Sequence, residues 1–262
     1  MPRRVIAFTL LLLASAVIIG LRAETLPYDH MHFNAPDPAT AVAWYVMNLG
    51  AKHGAAPDRV VFGRTIFAFA KLENAQPSAG GAIDHVGFSV ADVDGKMKEL
   101  QAAGAKVMTP ARDVPGLPKA GFVQDPFGVK IELLQDPEAP GFHHIHLRVP
   151  DPEASLKWSA ENFGGERVKW KGRLDAVKYT NPTVWLLAEK GDNAAPSQGR
   201  AIDHLGWGVT DVDAKVSDLA SKGLKTVEPR PVRNLRVGFV DGPGGVRIEM
   251  VQGRTEEELI GR

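Results

Sequence analysis

The chain has 262 residues, of which 44% are hydrophobic and 24% charged, and 31 Lys+Arg balance 31 Asp+Glu. These proportions exclude a disordered chain and argue against a broad basic field for nucleic acid, while the length allows one or two domains. Cysteine is absent, which excludes disulfides and a lipidated cysteine anchor and restricts any metal site to His, Asp and Glu.

Arg3 and Arg4 precede an uncharged apolar run at residues 5–21, and Leu21-Arg22-Ala23 offers a cleavage point before Glu24-Thr25. This is the layout of a secretory signal peptide over residues 1–23, or of an N-terminal membrane anchor if the segment is uncleaved. Both readings place the folded part outside the cytoplasm, in the periplasm or extracellular space. Residues 30–33 alternate with apolar neighbours and predict a strand. Asp37-Pro38 then suits an N-cap and first turn, and the helix runs to about Leu49, where Gly50 stops it. Short strands are expected at residues 60–62 and 66–72, followed by a polar linker at 73–81. Residues 83–90 form a further strand. Val93, Met97 and Leu100 mark one face of a helix closed by Gly104. Three more strands fall at 106–108, 121–124 and 129–134, the last two joined by the turn Asp125-Pro126-Phe127-Gly128. A domain boundary follows near residues 136–141.

The second half copies the first. His30-Met31-His32-Phe33 … Pro36-Asp37-Pro38 recurs as His144-Ile145-His146-Leu147 … Pro150-Asp151-Pro152, each leading into a helix with a Trp, at 44 and 158. Ile83-Asp84-His85-Val86-Gly87 recurs as Ile202-Asp203-His204-Leu205-Gly206. Gly121-Phe122-Val123 … Ile131-Glu132 recurs as Gly238-Phe239-Val240 … Ile248-Glu249. Gly164 and Gly223 close the copied helices, residues 191–199 repeat the linker, and Gly242-Pro243-Gly244-Gly245 repeats the turn. Each half contains two units that read strand, helix, three strands, which predicts an α+β protein with domains at 27–136 and 141–252 and a tail at 253–262.

Three positions recur with ligand-capable side chains: a histidine of the first strand, the histidine of Ile-Asp-His, and the glutamate of the last strand. Strand side chains alternate faces, so one inward position per strand can converge on a common surface. A glutamate among apolar neighbours needs a partner if buried, and a cation is one. Two imidazoles and a carboxylate suit a divalent first-row metal such as Fe2+, Zn2+, Ni2+ or Mn2+. Lys119 and Arg236 fall at matching positions before the final hairpin. They read either as anchors for an anionic or enolate-like substrate or as solvated surface charges. Arg230, Arg233 and Arg236 make the second loop more basic than its counterpart at 112–119, which predicts different ligand preferences for the two sites.

Ile-Asp-His-Val-Gly-Phe followed by Asp-Pro-Phe-Gly-Val-Lys-Ile-Glu-Leu resembles the vicinal oxygen chelate superfamily, which includes glyoxalase I, extradiol dioxygenases and bleomycin-resistance proteins. The resemblance runs from about Asp29 to Gln252. It implies tandem domains, each of two βαβββ modules forming a curved mixed sheet around a metal. Carried over by residue, it implies His30, His85 and Glu132 as one ligand set and His144, His204 and Glu249 as the other. His32 and His146, two residues along the same strand face, are then catalytic bases, outer-sphere groups or alternative ligands. No carboxylate stands in 66–70 or 184–187, where glyoxalase I carries a fourth ligand. Nor is there the extra histidine of extradiol dioxygenases. The resemblance therefore implies a small-molecule substrate and a metal-dependent, glyoxalase-like lyase or isomerase. An Fe2+-dependent ring-cleaving dioxygenase and an exported binding or resistance protein are the alternatives. A membrane partner enters only with an uncleaved N-terminal segment, and the oligomeric state is left open.

Overall fold

The computed structural model describes residues 25–180 and 182–260; the segment read as a signal peptide or anchor, 1–23, lies outside them. In chain order the first unit is β1 (Tyr28–Ala35), α1 (Pro38–Leu49), β2 (Lys52–His53), β3 (Arg59–Phe62) and β4 (Thr65–Lys71). The second is β5 (Ile83–Ser89), α2 (Val93–Ala102), β6 (Lys106–Val114), β7 (Leu117–Gln124) and β8 (Lys130–Leu134). The third is β9 (Gly141–Val149), α3 (Pro152–Phe163), β10 (Glu166–Trp170), β11 (Leu174–Thr180) and β12 (Thr183–Lys190). The fourth is β13 (Ile202–Gly208), α4 (Val212–Ser221), β14 (Thr226–Val232), β15 (Leu235–Asp241) and β16 (Arg247–Gln252), and a short α5 (Glu256–Ile260) follows. Among the described residues no helix is long and apolar enough to cross a membrane.

Local chemistry accounts for these boundaries. Asp37, Asp92, Asp151 and Asp211 stand in extended backbone and accept from the first-turn N–H groups of α1 to α4. Gly50 ends α1 in the left-handed region at φ 73°. Buried Asp125 accepts from the backbone N–H of Phe127 and Val129 and from the Tyr45 hydroxyl, so one carboxylate shapes the hairpin turn and ties it to α1. The strands β6 and β7 run further than their short apolar cores predict, because together they form a long two-stranded arm.

The units do not pair within halves. One eight-stranded sheet runs β14-β15-β16-β13-β1-β4-β3-β2, and the other runs β10-β11-β12-β9-β5-β8-β7-β6. The first unit therefore shares a sheet with the fourth, and the second with the third. At each centre two unit-leading strands pair antiparallel, β1 with β13 and β5 with β9. The short turn after β8 keeps β9 in the same sheet. The longer linkers cross between the sheets and pair with each other, Gln76 with Arg200 and Gly81 with Ala195. Behind the sheets a continuous core forms from Phe33, Phe67, Phe88, Ile145, Phe163, Leu205 and Trp207, among others.

This arrangement predicts that residues 27–136 and 141–252, expressed separately, lack the partner for each unit-leading strand. Each is expected to be non-monomeric alone, and a one-to-one complex should form on mixing. Sedimentation analysis checks this, and a folded monomeric half would show that the sheets re-pair within a half.

Candidate metal centre

Four potential donors converge in each sheet. His30, His32, His204 and Glu249 form one group, and His85, Glu132, His144 and His146 the other; one ligand atom from each lies within 4.8 Å of the rest of its group. All six residues expected as ligands are drawn in, but the partition is corrected. His30 meets His204 and Glu249, and His144 meets His85 and Glu132, because each site straddles two halves of the chain. The physical reason is the cross-half pairing of β1 with β13 and of β5 with β9.

The first-strand histidines fit only because their neighbour is glycine. His30 pairs with Gly206 and His144 with Gly87. A Cβ on either glycine would lie 2.1 Å from Cε1 of the facing imidazole, far inside van der Waals contact. Glu249 and Glu132 lie beside the same glycines on the parallel strands β16 and β8. The glycine gap thus lets a ring from one side reach a carboxylate on the other.

Each ring is also held from behind. His30 Nδ1 donates to Asp29 Oδ1 (2.6 Å), His85 Nδ1 to Asp84 Oδ2 (2.8 Å) and His204 Nδ1 to Asp203 Oδ1 (2.6 Å). His144 Nδ1 instead meets His143 Nδ1 at 2.9 Å, and His143 Nε2 faces Asp136 Oδ2 at 3.4 Å. With a proton on His143 Nε2, His143 Nδ1 accepts from His144. All four rings then carry a proton on Nδ1 and turn Nε2 inward towards the carboxylate, as the nitrogen that could ligate an ion. The Nε2 atoms of His30 and His204 lie 3.2 and 2.8 Å from Glu249 Oε2, and those of His85 and His144 lie 3.1 and 3.2 Å from Glu132 Oε2.

Adjacent strand residues normally point to opposite faces, so an Asp-His contact at consecutive positions needs a cause. Every one of these pairs sits at a register shift. Tyr28 to His30 spans one step of the partner strand, and so do Ile83 to His85 and Ile202 to His204, while Phe142 to His144 spans one step opposite Phe88 and Gly87. Asp29, Asp84, Asp203 and His143 are the extra residues of four β-bulges, which re-aim them towards the imidazole that follows.

Burial alone would raise both glutamates, but the His144 and His85 contacts hold Glu132 well below the usual range, and those of His30 and His204 do the same for Glu249. Burial, followed by the neighbouring imidazoles, pushes His32 and His146 well down, which favours the uncharged ring. His32 stacks on His204 with centroids 4.4 Å apart. Both ring nitrogens of His146 are buried without a hydrogen-bond partner. Buried polar atoms left open in this way call for a ligand. The donor types, their convergence and these orphaned lone pairs all fit a divalent cation. Beside the second group lies a cavity of about 210 Å³, walled partly by Leu117, Leu134, Trp170, Leu174 and Leu187.

Lys119 and Arg236 do not join either group. Pro118 and Ala120 line the cavity, so Lys119 between them points to the opposite face and pairs with Asp94 on α2. Arg236, between buried Leu235 and Val237, pairs with Asp213 on α4. Strand alternation thus turns both cations towards the helices, so of the two readings, substrate anchor or surface charge, the structure shows a surface ion pair for each. The bulge residues were the ones sequence reasoning missed. Their signal was present in the recurring Asp-His dipeptides at 29–30, 84–85 and 203–204.

Comparison with known proteins agrees with this architecture. The family model described as Glyoxalase/Bleomycin resistance protein/Dioxygenase superfamily matches residues 28–133 and 141–250. Over 123 residues, 42% of this chain and 89% of the relative, the chain is 28% identical to a Vibrio cholerae protein named "Probable lactoylglutathione lyase". The structure of glyoxalase I from Zea mays aligns with a TM-score of 0.70 at 21% identity, covering 87% of this chain and 92% of that one. A Bacillus subtilis protein described as a candidate dioxygenase aligns at 0.62 and 17% identity, covering 89% and 87%. These structural likenesses concern the fold.

The glycine gaps generate a direct test. Gly206→Ala should displace the His30 ring and Gly87→Ala the His144 ring, each at an overpacking cost of about 1–3 kcal/mol. Urea denaturation reads the cost. Imidazole NMR resonances should move only for the altered site, and unmoved resonances would contradict the packing described.

Proposed function

The chain belongs to the Glyoxalase/Bleomycin resistance protein/Dioxygenase superfamily, and within it we propose that this protein is a divalent-metal-dependent enzyme of glyoxalase-like lyase or isomerase type. Its substrate is a small molecule that presents two neighbouring oxygens. The observation that carries this reading is the twofold convergence of three imidazoles and one carboxylate within 4.8 Å. The lyase name of the Vibrio cholerae relative supports that reaction class over ring cleavage.

His30, His204 and Glu249 would hold one ion, and His144, His85 and Glu132 the other. His32 and His146 complete each set as the fourth donor. They stand where their neighbouring strands offer Ala68 and Leu187 rather than a carboxylate. A neutral, unpartnered imidazole suits ligation better than proton abstraction, since its basicity is already suppressed by burial. A bound divalent ion would act as a Lewis acid towards the substrate's oxygens.

The remaining work falls to the chain. Asp29, Asp84, Asp203 and the His143–Asp136 pair fix each ring's tautomer and orientation. Glu132 and Glu249 stay ionised far below neutral pH and offset the cation's charge. The apolar part of the second site's wall suits a substrate with a hydrophobic body.

Native purification should yield about two equivalents of metal per chain, and no bound metal would reject the reading. Glu132→Gln and Glu249→Gln should each remove one equivalent. His32→Ala and His146→Ala should weaken metal binding by about tenfold or more if these rings ligate. Unchanged affinity with lost turnover would reassign them as bases. Hemithioacetal turnover with nickel or zinc supports the lyase, whereas oxygen uptake on catechols with iron would replace it with the dioxygenase.

A further inference from the structure

The two sites match in their donors but not in their surroundings. At the first site, Arg59 on β3 pairs with Ala68, Ala68 with His32, and His32 with His204. Directly opposed residues share a sheet face, so Arg59 stands in the row that carries two of the four donors. Its side chain is only 14% exposed, yet its Nε has no hydrogen-bond acceptor. Asp58 Oδ1, its ion-pair neighbour, lies 3.6 Å away and is itself buried without a hydrogen-bond donor.

Two further arginines gather there. Arg254, 8% exposed, gives Nε and Nη2 to Asp29 and leaves Nη1 buried and unpartnered. Arg233, in the turn before β15 at φ 54°, reaches Asp58 Oδ2 at 3.8 Å. Burial first, then the charge of Arg254, with Arg233 adding to it, pulls Arg59 below its ordinary pKa, so the three guanidinium groups feel one another. The acidic neighbours have other engagements. Asp29 holds His30, Glu249 faces two imidazoles, and Glu258 accepts from Thr255. Asp58 remains, out of hydrogen-bond reach of Arg59 Nε and of Arg233.

The second site has no cation at the three matching positions, although Arg112 and Lys130 line its cavity elsewhere. Ala176 occupies the place of Arg59, opposite Leu187 and in line with His146. Gly116, at φ 72°, takes the turn position of Arg233. Pro137, two residues after Gln135, stands where Arg254 follows Gln252. Buried guanidinium donors without acceptors are costly unless an acceptor arrives, and their planar fork matches an oxyanion.

We propose that Arg59, with the open edge of Arg254 and with Arg233 at the rim, forms an oxyanion-binding subsite at the first site only. It takes the carboxylate, phosphate or phosphonate end of a small ligand. The second site carries its own cations, Arg112 and Lys130, at other places around a partly apolar cavity, so the two sites of one chain differ in substrate. The subsite uses no metal-donor side chain and stands whether or not the proposed metal chemistry does.

The test is calorimetric titration of the chelator-treated full chain with inorganic phosphate and, separately, with succinate. One saturable site per chain is expected for at least one probe, and the tighter probe identifies the oxyanion type. Arg59→Gln should weaken binding about tenfold or more, with Arg59→Lys in between. Arg112→Gln, beside the second site's cavity, should leave it unchanged. Arg233→Gln, at an exposed position that keeps the fold, should weaken it a few-fold and serves if Arg59→Gln fails to fold. Absence of saturable binding, binding that survives these first-site changes, or equal loss in Arg112→Gln overturns the proposal. Loss of metal binding with intact anion binding would instead reject only the metal reading.

Discussion

The four β-bulges at Asp29, Asp84, His143 and Asp203 are the constraint on which the site depends. A regular strand would send each of these side chains to the face opposite its neighbouring histidine. The inserted residue instead brings an acceptor to Nδ1 and thereby decides which nitrogen turns inward towards the glutamate. Without that acceptor either ring nitrogen could face the carboxylate, and the donor set would not be fixed. The bulges also interrupt the pairing of the two central strands, beside the buried apolar core. Chemistry and fold are therefore coupled at the same backbone positions.

Glycine supplies the complementary condition. The bulge aims a ring inward, and the facing Gly206 or Gly87 leaves the volume it occupies. Neither feature is useful alone. A ring aimed at a side chain would have no room, and a gap without an aimed ring would be an ordinary packing defect.

Much of this was legible in the sequence because it was written twice. Histidine and glutamate are conspicuous on apolar strands, and their recurrence at matching places identifies all of the expected donors. Recurrence also conceals. The units that begin with Ile83 and Ile202 offer nearly the same edge to any partner, so no local pattern distinguishes pairing within a half from pairing across halves. The orientation of Lys119 and Arg236 depends on the register of a long hairpin whose arms extend past their apolar cores. Alternation counted from the turn does not reach them reliably. A bulge breaks the period-two rule by which faces are assigned, so Asp29 and His143 fall outside it. Arg59 and Arg254 occur in one copy only and leave no mark on a reading that looks for repeats.

The exchange of units between sheets has a consequence for how such a molecule can change. Two identical subunits joined about a twofold axis would receive every substitution in both sites at once. In this chain the same geometry is written by four separate stretches of sequence, and each site draws on two of them. A change at residue 59 leaves residue 176 untouched, so one centre can acquire a new specificity while the other keeps the old one. The covalent link also keeps the contributing segments at high effective concentration while they diverge. Asymmetry that a symmetric assembly forbids becomes available here, with the shared scaffold left intact.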